Sequence, residues 1–311
     1  SWDGVVAVWL ALGAGMLAVA IVIRLVPAVY GTWSERLQPA WTHLLVPVTE
    51  RGSWPWTPLA AALLLAATVA MVRRARGRGR RWLVVGASLA LVAGGFELSW
   101  GLHALRPAVE ERLVLAQASG APPTASAMEA AALELAAIVA STLPSGAFDE
   151  TPALASTRAS LQTFAPAVRL PRRVKYVSGV GFGTLGVAGV ISPWTLEAHV
   201  DGQLPAWARV VVAGHELAHL AGFEREGEAE LVGLLAGLRA ANPHARYAAA
   251  LRAWMWMPAE ARRAAPLPAR AQADLDALAA AGERRAEGLA SLAWSVYERY
   301  LVARGQGDGI A

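Results

Sequence analysis

The chain has 311 residues, of which 55% are hydrophobic and 17% charged, with a formal net charge of +4 and no cysteine. That composition is too apolar for an ordinary soluble enzyme, and the length allows two domains. Without cysteine there are no disulfides and no thiol chemistry.

Three apolar segments account for the excess. Residues 4–23 carry no charge, nor do residues 55–72. Residues 82–96 carry none either, and that run continues through Glu97 to about Leu105. A membrane span needs about 20 apolar residues. The reading is three transmembrane helices, at about 4–26, 55–72 and 82–104. The first reads as an anchor rather than a cleavable leader, because no basic stretch precedes it.

Between the second and third segments, residues 73–81 hold six arginines (Arg73, Arg74, Arg76, Arg78, Arg80 and Arg81), without which the net charge of +4 becomes −2. Arginines in a short loop between spans mark the cytoplasmic side. Nucleic-acid binding is therefore not expected. The N-terminus then lies inside, the 24–54 loop outside, and everything after about Arg106 outside. Trp33, Trp41, Trp54, Trp56, Trp82 and Trp100 fall near span ends or in the outer loop, as interfacial anchors do. Glu97 lies about 22 Å along the helix from Trp82, so it reads as interfacial, as does His103.

In the second half, residues 106–150 read as helical, with an Ala-rich run at 126–141 bounded by Pro122-Pro123 and Pro144. Residues 151–165 form another short helix. Residues 174–177 and 184–191 suggest short strands. The second of these is the candidate edge that would bind a substrate backbone by strand addition. Helical stretches follow at 244–257, 268–281 and 286–304.

The chemistry centres on His215-Glu216-Leu217-Ala218-His219. On a helix, positions i and i+4 share a face, about 5–6 Å apart, so both imidazoles can reach one metal ion. Glu216 then lies beside the open coordination position, where a general base is needed. The preceding run reads as a buried helix entered at Pro205, and Gly222 supplies a stop. The next helix carries Glu226, Glu228 and Glu230. Glu226 and Glu230 share a face, and either Glu226 or Glu228 can serve as third ligand. Ala229, Gly233, Ala236 and Gly237 are small enough for close packing of the two helices. Two surface histidines on an amphipathic helix are the competing reading. It leaves two imidazoles in an apolar segment without a partner, which costs free energy.

Four segments carry a family resemblance. Residues 99–107 (S-W-G-L-H-A-L-R-P) are similar to a W-G-x-N-Y-x-R-x-P segment. Residues 191–198 (I-S-P-W-T-L-E-A) are similar to P-F-T-x-E-A. Residues 215–230 are similar to H-E-x-A-H-x-x-G-x-x-x-E-x-E-A-N, and residues 242–247 resemble an R-Y-S segment. Together they resemble the zinc-peptidase-like bacterial membrane proteins grouped as domain-of-unknown-function 3810. Two positions depart from the pattern: Glu230 stands for Asn, and His103 stands for Asn.

The resemblance implies a mainly α protein. Three N-terminal transmembrane helices (1–105) would precede a mostly helical, zincin-like metallopeptidase domain of gluzincin type with a small β element (106–311). It implies a multi-pass protein of the bacterial inner membrane with an extracytoplasmic C-terminal domain. A wider likeness to integral-membrane zinc peptidases with an E-x-x-A-D motif aligns Glu226 with the third ligand. The implied site is one Zn²⁺ held by His215, His219 and Glu226, with Glu216 as general base and Glu230 orienting a ligand histidine. Tyr247 leads His199, His244 and Arg246 as oxyanion donor, and Glu197 caps or orients a strand. The implied partners are the lipid bilayer and a peptide or protein substrate. A non-catalytic membrane scaffold with a structural zinc is the alternative.

Overall fold

A computed structural model of the chain describes residues 2–113, 122–177, 186–282, 291, 295–299 and 302. The chain divides into two compact units. One comprises Ser1–Arg106, Ala167–Arg169 and Ser192–Glu197; the other comprises Pro107–Pro166, Leu170–Ile191 and Ala198–Ala311.

In the first unit the apolar runs become long helices, α1 (Trp2–Leu25), α4 (Trp56–Arg74) and α5 (Arg78–Ser99). Each is long and apolar enough to cross a membrane. The third was expected to run to residue 104. It stops at Ser99, because Trp100 leaves the helical region (φ −137°, ψ −53°), and Gly101–Leu105 continue as a 3₁₀ turn. Residues 24–54, read as an outer loop, are mostly helical: α2 (Pro27–Thr32), a π-helical turn (Trp33–Leu37) and α3 (Gln38–Thr49).

Polar contacts stitch the long helices together. Ser88 Oγ of α5 accepts from Trp9 Nε1 of α1 at 3.0 Å and from Thr68 Oγ1 of α4 at 2.9 Å. Near the helix ends, Arg24 pairs with Glu97 at 2.7 Å. Glu197, read from sequence as serving a strand, caps α4 instead. Its carboxylate accepts from the backbone N–H of Trp56 and of Thr57, both at 2.9 Å, so it satisfies two donors that a helix start leaves open.

The second unit holds α6 (Val109–Arg112), α7 (Ala125–Ser141), α8 (Glu150–Phe164), α9 (Ala206–Leu220), α10 (Glu226–Leu238), α11 (Pro243–Met255), α12 (Ala259–Ala264) and α13 (Ala269–Gly282). Thr124 caps α7 by accepting from Ala127 N, and Asn242 caps α11 by accepting from His244 N and Ala245 N. A small sheet comprises β1 (Lys175–Val177), β2 (Gly189–Ser192) and β3 (Glu197–Asp201) in the order β1-β3-β2. β1 runs parallel to β3, with Lys175 opposite His199. The strand read at 184–191 begins at Gly189; residues 184 and 185 lie outside the described residues. β3 was not foreseen. Its E-A-H-V-D sequence alternates polar and apolar residues, but it is only five residues long and its polar positions, Glu197, His199 and Asp201, are buried as well. The stretch read as helical at 286–304 lies mostly outside the described residues, and Ser295–Arg299 within it are helical.

Candidate metal centre

The local sequence of α9 and α10 builds the site. α9 ends in a Schellman turn: Phe223 N bonds to Ala218 O at 3.1 Å and Gly222 N to His219 O at 2.8 Å. Gly222 takes the left-handed conformation this turn requires (φ +89°), which L side chains rarely adopt. The turn reverses the chain so that α10 starts at Glu226 and packs back on α9. The two helices cross at Gly233, where an added Cβ would lie 3.0 Å from His215 N. Gly233, Ala229, Ala236 and Gly237 are all buried, as their small size predicts.

This crossing brings His215, His219 and Glu226 together. One ligand atom from each lies within 4.8 Å of the others, and among the described residues this is the one such His/Asp/Glu group. Glu226 Oε2 is 3.1 Å from His215 Nε2, and Oε1 is 3.5 Å from His219 Nε2. The two rings are nearly perpendicular, with centroids 4.7 Å apart.

The far nitrogen of each ring is already held. His215 Nδ1 faces Glu230 Oε2 at 3.1 Å, and His219 Nδ1 faces the carbonyl of Phe223 at 2.8 Å. Both partners are acceptors, so both Nδ1 atoms carry the proton and both Nε2 atoms turn toward Glu226. This is the arrangement by which outer partners fix the tautomer of metal-binding histidines. The carbonyl on His219 is delivered by the same Schellman turn that ends the helix. The donor set, two imidazole nitrogens and one carboxylate, suits Zn²⁺ with one position left open.

Charge in the cluster follows from these contacts. Burial opposes a charge on His215, but its hydrogen bonds to Glu226 and Glu230 outweigh it and push the pKa up to about 10. Burial likewise works against ionised Glu226 and Glu230. The two histidines nevertheless hold Glu226 below the usual carboxylate range, and His215 with Arg252 brings Glu230 down to about 2. Glu216 goes the other way. It is buried, and desolvation raises its pKa against the pull of His215 and His219. A carboxylate with a raised pKa is the kind a general base requires.

Glu216 also touches β2. A Cβ added at Gly189 would lie 2.6 Å from Glu216 Oε1 and 2.6 Å from Val212 Cγ1, so only glycine admits the strand there. β2 is an edge strand of the sheet.

Several residues from the sequence reading lie elsewhere. Glu228 accepts from Val109 N at 3.2 Å, at the start of α6, and is outside the cluster. Tyr247 is fully buried, and its hydroxyl donates to Asp274 at 2.6 Å, so its geometry is that of a core residue and not of an oxyanion donor. His244 accepts from Asp149 N and stacks on Phe148. Arg246 donates to the carbonyls of Ala240 and Ala241. His199 is buried on β3 and is not one of the converging ligands.

Three residues at the site were not foreseen. Arg252 Nε and Trp256 Nε1 donate to Glu230 Oε1 at 2.9 and 3.2 Å. The Tyr297 hydroxyl donates to Glu226 Oε1. The signal available in the sequence was only that Arg252 and Trp256 are i and i+4 at the end of a predicted helix.

The family model described as protein of unknown function (DUF3810) matches residues 56–311. The chain belongs to the DUF3810 family. No curated protein and no solved structure matches it. The DUF3810 match takes in α4, α5, the His215–His219–Glu226 cluster and Tyr297, while α1–α3 precede it.

Proposed function

We propose that this DUF3810 protein is a membrane-anchored, zinc-dependent metallopeptidase. The observation that carries the reading is the convergence of His215, His219 and Glu226 with both histidines held at Nδ1 by acceptors. Zinc held by these three side chains would act as a Lewis acid and lower the pKa of a water toward about 7. Glu216 would accept the proton of that water and return it to the leaving amine. Its burial keeps the carboxyl pKa raised, so the returned proton is held more readily. Glu230, braced by Arg252 and Trp256, fixes the His215 ring. The β2 edge beside Glu216 offers backbone groups to an extended peptide, which would lie along the strand and present a peptide bond to the base.

The three long apolar helices support insertion in a membrane. The arginine loop between α4 and α5 supports a cytoplasmic loop, with the metal cluster on the opposite side of the inner membrane. The chain's partners on this reading are the bilayer and a peptide or protein substrate.

A structural zinc would ordinarily be closed by four protein ligands, whereas three side chains converge here among the described residues. The deciding experiment measures bound zinc and peptide-bond hydrolysis for wild type and Glu216→Gln. Zinc retained at one per chain with hydrolysis lost supports the peptidase. Zinc present in both proteins with no hydrolysis by either supports a scaffold with a structural metal.

A further inference from the structure

The third ligand of the proposed site is itself held by a residue from far along the chain. Glu226 opens α10, and a carboxylate at a helix start has several rotamers open to it. Oε2 faces His215 Nε2, while Oε1 faces His219 Nε2 at 3.5 Å and also takes the Tyr297 hydroxyl proton, from a residue 71 positions downstream. Tyr297 is half-buried and lies in the helical stretch Ser295–Arg299.

We infer that Tyr297 is a positioning residue for the metal site: its hydroxyl holds Glu226 Oε1 and so keeps the carboxylate facing both His215 Nε2 and His219 Nε2. The inference rests on the zinc reading above and deepens it. A phenol donating to a carboxylate makes a charge-assisted bond that restricts the carboxylate's rotation. Held this way, the Glu226 carboxylate keeps its place between the two imidazoles that would share a metal with it. Released, it would turn among other rotamers and be a poorer ligand. On this inference the site depends on Tyr297 as well as on α9 and α10.

The test compares Tyr297→Phe with Tyr247→Phe in the full-length protein. Each removes one hydroxyl that donates to a carboxylate, but only the first carboxylate is in the cluster. Zinc affinity is measured by competition with a chromophoric chelator, the visible spectrum is recorded for the Co²⁺ form, and the melting temperature is read without metal. The expected result for Tyr297→Phe is a zinc affinity lower by about 10- to 100-fold, the range for outer partners of metal ligands. The Co²⁺ bands shift, and the effect disappears when Glu226→Ala is already present. Tyr247→Phe changes the metal-free melting temperature and leaves zinc affinity alone. An unchanged affinity in Tyr297→Phe, or an equal loss in the Glu226→Ala background, overturns the inference while the zinc reading stands. Wild type that fails to bind zinc overturns both.

Discussion

In the first unit Leu44, Leu63, Leu65 and Leu89 point outward with 62–67% of their surface exposed, while Gln38, Thr42, Thr49 and Ser88 are buried. In the second unit Leu217, Val210, Val232 and Phe223 are buried at 2% exposure or less. The second unit also holds charged groups away from solvent: His215, Glu226 and Glu230 are half-buried and paired, and Glu216 is buried beside them. The same chain therefore folds by opposite rules in its two parts. A soluble domain hides apolar surface because water rejects it. In lipid there is no such drive, and helices associate through packing and a few polar bonds such as those of Trp9 and Thr68 to Ser88. The contrast is compatible with hydrocarbon around α1, α4 and α5, each long and apolar enough to cross a membrane. Leu37, at the end of the π-helical turn, and Trp41, Leu44 and Val48 of α3 are exposed as well.

The sharpest way to break this comparison is to remove a ligand. His219→Ala takes one of three donors from the cluster and touches nothing in the first unit. Structural zinc sites are worth about 10–16 kcal/mol, so losing one ligand is expected to weaken zinc binding on the order of a thousandfold or more. Membrane extraction and helix content of the protein stay as in wild type. Zinc binding that survives His219→Ala would remove the cluster from the metal reading. Next in size is a charge on the outward face. Leu63→Arg places a guanidinium in the middle of α4. In hydrocarbon this costs about 3 kcal/mol of insertion free energy. Glycosylation mapping of α4 in microsomes should show a reduced inserted fraction. Full insertion would mean that this face of α4 does not meet lipid.

These two regions were not equally legible in the sequence. The long helices follow from apolar run length alone, because about 20 apolar residues is the length a span requires. The His215, His219 and Glu226 set is also local: one helix, one glycine turn and the next helix start. What escaped was everything delivered over distance or by backbone. Arg252, Trp256 and Tyr297 reach the cluster from 22 to 71 residues away in sequence, and no local periodicity announces their arrival. The acceptor on His219 Nδ1 is a main-chain carbonyl, which has no residue-type signature. Tyr247 misled for the same reason, since its partner Asp274 sits two helices later. β3 was hidden because its period-two pattern spans only five residues and places Glu197, His199 and Asp201, types rare in strands or rarely buried, on a buried face.

The brace on His215 supplies two smaller tests, both confined to the second unit. Glu230→Gln keeps the side-chain size but removes the charge that holds Nδ1. Zinc affinity is expected to fall about 10- to 100-fold, with hydrolysis following the metal content. An unchanged affinity would leave Glu230 as a partner of Arg252 and Trp256 only. The second test is pH. With its pKa pushed up to about 10, His215 is protonated at neutral pH when no metal is present. Zinc must displace that proton, so each unit of rising pH favours binding. Affinity should tighten roughly tenfold per pH unit from about pH 6 to 9, with one proton released per zinc, read from calorimetry in buffers of different ionisation heat. An ordinary histidine would level off above about pH 6.5. A plateau there would show that the ring is not held charged by Glu226 and Glu230.

The smallest expected effect belongs to the first unit. Glu197 accepts from Trp56 N, Thr57 N and Thr57 Oγ1, and its Oε2 also takes Thr195 Oγ1. Glu197→Gln keeps one acceptor oxygen and replaces the other with a donor that faces N–H groups. Loss of a helix N-terminal cap costs about 0.5–2 kcal/mol, and α4 is anchored elsewhere through Thr68 and Ser88. The protein should therefore melt a few degrees lower in nanodiscs with the same zinc affinity as wild type. Glu197 opens β3, the strand next to β2, and the sequence reading makes it a residue that caps or orients a strand. A change in zinc affinity or hydrolysis without a change in melting temperature would reverse the assignment of this residue to the helix cap.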